Sequence, residues 1–374
     1  MIGAGQLARM THQAAIDYDI DLHVLASTAD DPAVLSGAKF TIGDPDDFAD
    51  LAAVATMGDV VTFDHELVPP DHVRLLEQSG HVVRPSGGAL LFAQDKLYQR
   101  SAIAALEHPS VAVPAFAPVS SVDDVTAFAE RHGWPVVLKA RGGGYDGRGV
   151  HVLAGLDGAL RLLDAGAAAG EPTWVVEEHL DLAAELAVLV ARRPSGEMVT
   201  YPPVGTLQLD GMCRELTMPA HVPAGVAAEA VRLAESVVAR IDAHGICAVE
   251  LFLTRDGRLL LNELALRPHN SGHATIEASV TSQFHQHLRA VLDWPLGPTT
   301  LYAPAATVNL VGGPGSLDVA ARLPLALEVP GAHVHLYAKT SRQGRKIGHV
   351  TALADSLDDA LDAARAAASL LTGS

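Results

Sequence analysis

The chain has 374 residues, and its 26 Lys and Arg stand against 44 Asp and Glu for a formal charge of −18. That balance argues against general affinity for nucleic acid or anionic membrane, although a local cluster of cations can still hold an anionic substrate. Two or three domains are expected at roughly 100–200 residues each, and a composition 49% hydrophobic but only 5% aromatic suits α/β layers with closely packed helices.

The first ninety residues alternate strand-like and helix-like pieces. "DLHVLA" (21–26), "AKFTIG" (38–43) and "GDVVTFD" (58–64) read as strands. "DPDDFADLAAVAT" reads as a helix with acidic caps, and "PPDHVRLLEQSG" as a helix started by Pro and stopped by Gly. The alternation predicts a doubly wound parallel sheet. "GAGQLA" (3–8) fits G-x-G-x-x-A, yet only Met1 and Ile2 precede it where a full strand belongs. The reading is a structural strand-to-helix turn rather than a dinucleotide site, in a sheet lacking its first strand, with a start internal to the natural one.

Residues 86–108, "SGGALLFAQDKLYQRSAIAALEH", read as one helix-like segment. "VAVPAFAPV" is extended, "SVDDVTAFAERHG" is a capped helix, and "WPVVLKA" (134–140) is a strand ending near Lys139. It feeds the loop "RGGGYDGRGV" (141–150), from which "GVHVLA" returns as a strand, so the pair forms a hairpin flap. "TWVVEEHL" and "ELAVLVARR" are buried strands, and 224–245 is a long amphipathic helix. "CAVELFLTRDGRLLLNELAL" reads as two strands around the turn signal Asp256-Gly257. "SQFHQHLRAVLDWPLG" is a helix closed by Pro, "KTSRQGRKIGH" is rich in turns, and the chain ends in an Ala-rich helix. Two distant cysteines, Cys213 and Cys247, form neither a disulfide framework nor a zinc pattern. No run of about 18 apolar residues and no signal peptide is found, so no membrane association and a cytoplasmic address are expected.

Three stretches carry chemistry. Glu250 and Glu263 sit on the two strands of the acidic hairpin, where they could face each other. Paired carboxylates in an apolar sheet repel and resist desolvation, and a divalent cation relieves both problems; oxygen donors with Asn262 beside them suit magnesium shared with nucleotide phosphates. The alternative is that one or both point to solvent at an edge. In the glycine loop, backbone N–H groups can approach phosphate oxygens closely, with Lys139 as a point charge and Arg148 as a fork of donors. "RPHNSGH" (267–273) reads as a substrate loop; Pro268 and Gly272 argue against a helical metal pair of His269 and His273. Arg345 and Lys346 make a basic patch that faces either an anion or solvent.

Taken together, "GGYDGRG", "LLLNELALRPHNSGH", "SQFHQHLRAVLDWPLG" and "GRKIGH" resemble the ATP-grasp superfamily over nearly the whole chain, and within it the 5-(carboxyamino)imidazole ribonucleotide synthases. The resemblance implies a three-domain α+β architecture. Residues 1–90 would be a Rossmann-like pre-ATP-grasp domain, 91–295 the ATP-grasp domain with a flap at about 110–175, and 296–374 a small C-terminal domain. It implies a homodimer that uses ATP, Mg²⁺, bicarbonate and 5-aminoimidazole ribonucleotide in purine biosynthesis and passes its product to a separate mutase.

Carried over by position, Lys96 and Lys139 would contact ATP phosphates, and Gly144, Tyr145, Asp146, Gly147, Arg148, Gly149 and Val150 would close on the nucleotide. Glu177, Glu178, His179 and Leu180 would meet adenine, and Glu185 the ribose. Glu250 and Glu263 would bind the metal, with Asn262 beside them. Tyr145, Asp146, Arg148, Arg267, His269, Asn270 and Ser271 would shape the bicarbonate and ribonucleotide side, and Lys339, Arg345 and Lys346 would meet the ribonucleotide phosphate. Two positions depart from the family, which usually has Pro at Leu266 and Arg at Lys96. Competing readings are another ATP-grasp ligase, such as a formate-dependent glycinamide ribonucleotide transformylase or a biotin carboxylase, a non-catalytic nucleotide sensor, and an NAD-dependent oxidoreductase resting on residues 3–8.

Overall fold

The computed structural model describes residues 1–105, 111–143, 149–167, 174–209, 211–313 and 318–373. The N-terminal layer holds α1 (Gln6–Asp17), β1 (His23–Ala26), α2 (Pro32–Leu35), β2 (Lys39–Ile42), α3 (Phe48–Ala55) and α4 (Pro70–Gln78). β1 and β2 pair in parallel. The expected third strand is reduced to single parallel bridges, Val61 with Val83 and Phe63 with Ile2. Ile2 also bridges Leu25, so this one residue takes the central strand position. Its N–H donates to Thr62 O at 2.7 Å and its carbonyl accepts from Asp64 at 2.8 Å. Ile2, Leu25, Val61 and Phe63 share one apolar cluster, which is why so short a segment holds its place.

The glycine turn at residues 3–8 leads from Ile2 into α1. Gly3 has φ +92°, and a Cβ there would lie 2.8 Å from the His65 ring. Gly5 caps α1 and gives its N–H to the Asp64 carboxylate.

Within the segment 86–108, where one helix was expected, the described residues hold two, α5 (Gly87–Gln94) and α6 (Lys96–Ala104). Asp95 stands between them in extended conformation, with φ −125° and ψ 103°. Its carboxylate caps α6 through Tyr98 N–H at 2.9 Å and pairs with Arg141 at 2.7 Å. Capping an N-terminus satisfies an orphan donor, so Asp95 stabilises the break.

β3 (Phe116–Val119), α7 (Val122–His132), β4 (Val136–Ala140), β5 (Val150–Leu153), α8 (Leu156–Ala167) and β6 (Trp174–Glu178) follow. Their strands make a four-stranded antiparallel sheet, order β3-β6-β4-β5. Helix α7 opens with a capping box from Ser121 and Asp124, and buries Val125 and Phe128 against this sheet.

The remaining elements are β7 (Leu182–Arg192), β8 (Met198–Thr200), β9 (Val204–Leu209), β10 (Met212–Met218), α9 (Ala224–Arg240), β11 (Gly245–Thr254), β12 (Leu259–Ala265), α10 (Thr275–Ala278), α11 (Gln283–Val291), β13 (Ala305–Val311), α12 (Val319–Ala326), β14 (Ala332–Leu336), β15 (Lys346–Leu353) and α13 (Leu357–Thr372). Nine strands form one sheet, ordered β12-β11-β7-β9-β10-β13-β15-β14 with β8 beside β7. The pairing of β10 with β13 carries this sheet across residue 296. Within "KTSRQGRKIGH", the residues from Lys346 onward belong to β15.

Strand β7 is buried continuously from Leu186 to Ala191 because both of its faces are covered. Leu186, Val188 and Val190 pack with Leu233 and Val237 of α9, while Leu189 and Ala191 face a second cluster with Ile246 and Ala274. Burying each such Leu or Val contributes about 1.5–3 kcal/mol. Truncating Leu233 to Ala therefore costs about 2–5 kcal/mol. Among the described residues no helix is long and apolar enough to cross a membrane.

Candidate active site

A cleft of about 1020 Å³ opens between the four-stranded sheet, the long sheet and the N-terminal layer. On its floor lies the β11–β12 hairpin. Glu250 and Glu263 stand directly opposite each other in its register, as the sequence predicts. Just beyond them the register shifts, so that Glu250 pairs Glu263 while Leu251 pairs Leu261. Asn262 is the extra residue of this bulge, and a bulge beside a site re-aims a side chain. Its Nδ2 donates to Glu250 Oε2 at 3.3 Å, and its Oδ1 accepts from Lys139 Nζ at 3.1 Å.

Burial, then Glu263, then Glu185 push the Glu250 carboxyl up to about 7. A carboxylate so disfavoured as an anion gains most from a cation. The hard oxygen donors present fit magnesium, and among the described residues no cluster of three His, Cys, Asp or Glu forms a closed cage. Two carboxylates leave coordination positions for phosphate and water, which is how magnesium is usually held.

Two lysines converge on this floor from different elements. Lys96, at the first turn of α6, donates to Glu263 Oε1 at 2.7 Å. Lys139, on β4, is 8% exposed and pairs with Glu177 Oε2 at 2.8 Å. The other Glu177 oxygen accepts from Arg100 Nε at 2.9 Å, and Arg100 is fully buried. Burial opposes the charge on Glu177, but Lys139 and Arg100 outweigh it and hold its carboxyl below the usual range. Both Glu177 oxygens are therefore committed to cations, while the residue also lines the cleft next to Glu178. Glu178 likewise accepts from Ala115 N–H at 2.9 Å. Glu178, His179 and Leu180 line the cleft, as do Glu185 and apolar Val137, Val152 and Phe252. Burial pushes the Glu185 carboxyl up.

The far end of the cleft joins residues distant in sequence. Arg267 Nε donates to Glu66 Oε2 at 2.6 Å, and Leu266 N–H donates to Glu66 Oε1 at 3.1 Å. A proline at 266 has no such N–H, so in this chain Leu266 adds a bond that helps fix Glu66 under Arg267. His269 is clamped by buried Gln283, which accepts from its N–H and donates to its carbonyl, each at 2.8 Å. Its Nδ1 lies 2.9 Å from Ser271 Oγ and accepts from Ser271 N–H, so the proton sits on Nε2, 3.6 Å from Glu250 Oε1. Burial, then Arg267 and Lys346, push this ring well below its ordinary range, which keeps it neutral. Asn270 lines the cleft, and its Nδ2 is buried without an acceptor. His273 is buried, stacks on His349 with ring centroids 4.6 Å apart and also lines the cleft.

Lys346 lines the cleft, and Lys339 donates to Gln6, itself a lining residue. Arg345 is not among the lining residues and donates to Thr340 O at 3.4 Å. Gly149 has φ +75°, with a would-be Cβ 2.9 Å from Ala140, so only glycine fits where the loop rejoins β5; Val150 lines the cleft. Gly144, Tyr145, Asp146, Gly147 and Arg148 lie outside the described residues.

Four residues in this region escaped the sequence reading: Gln6, Asp64, Glu66 and Arg100. Asp64 ends the third predicted strand and Glu66 follows it, and ligands of doubly wound sheets bind at the carboxyl ends of strands. That rule was available as a signal. Nothing local marks Arg100.

Three domain families match this chain in order. They are the ribonucleotide synthetase preATP-grasp domain at residues 1–94, the ATP-grasp domain at 104–284, and the phosphoribosylaminoimidazole carboxylase C-terminal domain at 305–363. The N5-carboxyaminoimidazole ribonucleotide synthase of Mycobacterium tuberculosis H37Rv is 45% identical over 100% of this chain and 87% of its own length. The crystal structure of the Thermus thermophilus synthetase superposes with a TM-score of 0.88 at 33% identity, covering 100% of this chain and 99% of that one. The Aspergillus clavatus synthase in complex with ADP and 5-aminoimidazole ribonucleotide superposes with a TM-score of 0.90 at 29% identity, covering 99% and 98%. With the paired carboxylates, the two lysines and these matches along its whole length, the chain belongs to the N5-carboxyaminoimidazole ribonucleotide synthase family of ATP-grasp ligases.

Proposed function

We propose that this protein carboxylates 5-aminoimidazole ribonucleotide at the expense of ATP and bicarbonate, releasing ADP and phosphate, as a step of purine biosynthesis. The observation that carries the reading is the juxtaposition of Glu250 with Glu263, Lys96 and Lys139 in a cleft that also holds Arg267 and Lys346, with His269 3.6 Å from Glu250.

In this reading a bicarbonate oxygen attacks the γ-phosphorus of ATP and ADP departs. The resulting carboxyphosphate breaks its bridging C–O bond to give carbon dioxide and phosphate. The exocyclic amine of the ribonucleotide adds to the carbon and releases a proton, leaving a carbamate. Lys96 and Lys139 hold phosphoryl oxygens, placing fixed positive charge where negative charge develops. Glu250 and Glu263, with Asn262 beside them, would hold Mg²⁺, which supplies charge neutralisation across the transferring phosphoryl group. Arg267 is oriented for an anion by Glu66. His269, neutral and clamped by Gln283, presents its Nε2 proton as a hydrogen-bond donor beside Glu250. Lys346 serves the ribonucleotide phosphate, and the glycine loop excludes water from the short-lived intermediate. The reading extends to a cytoplasmic homodimer that hands its carbamate to a separate mutase; light scattering after gel filtration tests the dimer.

The decisive assay is ADP release from ATP, Mg²⁺ and bicarbonate, with and without the ribonucleotide, alongside capture of labelled bicarbonate. Stimulation by ribonucleotide with label in an acid-labile product is expected. Turnover that requires formate and glycinamide ribonucleotide instead would overturn the assignment.

A further inference from the structure

Lys139 does not have its carboxylate to itself. Glu177 gives one oxygen to Lys139 at 2.8 Å and the other to Arg100 at 2.9 Å. All three side chains are removed from water, at 8%, 2% and 0% exposure for Lys139, Glu177 and Arg100. Arg100 is itself steadied by Gln99 Oε1 at 2.7 Å, and its Nη2 is buried with no acceptor. Counted as charges, two cations share one anion, so the cluster carries a net +1 where a one-to-one pair would carry none. Inside a protein that difference is felt strongly, because solvent screens it poorly.

We propose that Arg100 is a positioning residue for nucleotide binding: by occupying half of Glu177 it prevents that carboxylate from neutralising Lys139, and so keeps the lysine charge directed at an incoming polyphosphate. This rests on the reading that Lys139 meets ATP phosphates. The placement of Arg100 supports it. Arg100 and Lys96 lie four residues apart and so on one face of α6. Through Lys96 that face reaches Glu263 on the long sheet, and through Arg100 it reaches β6 of the four-stranded sheet. One helix thereby sets both phosphate-binding lysines, the first directly and the second through Glu177.

The test is calorimetric binding of a non-hydrolysable ATP analogue with Mg²⁺, and of adenosine, to the full chain and to Arg100→Met, Arg100→Lys and the double variant Arg100→Met/Glu177→Gln. Arg100→Met is expected to weaken the analogue about tenfold, the scale of one charge-assisted contact, and to leave adenosine unchanged. Arg100→Lys keeps the charge and should stay within about threefold of the parent, and so should the double variant, because removing both partners restores the net +1. The proposal is overturned if adenosine weakens as much as the analogue, if Arg100→Met binds like the parent, or if the double variant is as weak as the single. Should Arg100→Met not fold, the double variant still decides, since a scaffold without charge sharing loses Lys139 placement in it and binds weakly. A parent protein that binds no analogue would sink the nucleotide reading itself, a result distinct from any of these.

Discussion

The two ends of the cleft are built differently. At the proposed nucleotide end, cations of α6 and β4 are held by carboxylates from two different sheets: Lys96 on Glu263 of β12, and Lys139 with Arg100 on Glu177 of β6. At the proposed ribonucleotide end, contacts join segments hundreds of residues apart, with Glu66 under Arg267 and Gln6 against Lys339. Both ends join segments distant in sequence, but the first sets most of its charged groups on hydrogen-bonded strands, whereas the pairs of the second lie outside them. Substitutions at the two ends should therefore separate kinetically.

The largest effect is expected at the hinge of the comparison. Glu263→Gln removes a proposed metal carboxylate and the partner of Lys96 together, and should lower ATP turnover by roughly a hundredfold or more while circular dichroism stays unchanged. Turnover near the parent value would break the magnesium assignment. Glu66→Gln leaves Arg267 with a weaker partner in a protected site. It should raise the KM for ribonucleotide about tenfold and leave the KM for ATP within about twofold. Equal shifts in both would mean the two ends are one unit. A finer cut compares Lys346→Ala with Arg345→Ala. Lys346 lines the cleft and Arg345 does not, so the first should raise the ribonucleotide KM about tenfold and the second only about twofold to threefold. The reverse order would move the phosphate site away from β15.

The smallest expected effect concerns the joint between the layers. His287 on α11 lies 2.9 Å from Thr62 Oγ1 of the N-terminal layer and accepts from Ile246 N–H of β11 at 3.2 Å. Burial lowers this ring from 6.5 to about 3, so folding favours its neutral form. Its stabilisation is complete above pH 6.5 and is lost as pH falls toward 3. His287→Gln should lower Tm at pH 7 by the equivalent of about 2 kcal/mol, and the gap from the parent should shrink steadily on acidification. A gap independent of pH would show that His287 acts through shape alone.

Much of the nucleotide end was legible before folding. The alternating apolar residues around Asp256-Gly257 announce a hairpin that carries Glu250 on one strand and Glu263 on the other, but the register beside the turn would pair Glu250 with Asn262, and only the bulge brings Glu263 opposite it. The break between α5 and α6 was hidden, because Asp95 between Gln94 and Lys96 reads as part of a continuous polar helix face until Arg141 is seen beside it. The bulge at Asn262 was hidden too, since register shifts leave no mark in periodicity.

What the amino-acid sequence determined alone is local: which segments are strands and helices, where glycine must turn the chain, and which residue types could bind phosphate and metal. Those follow from side-chain period and backbone sterics, which act within a few residues. Only the tertiary structure decided that Glu177 would serve two cations, that Glu66 would seat Arg267, and that Ile2 alone would fill the centre of a parallel sheet. Each is a contact between distant segments, and its strength comes from burial, which no short stretch of sequence contains.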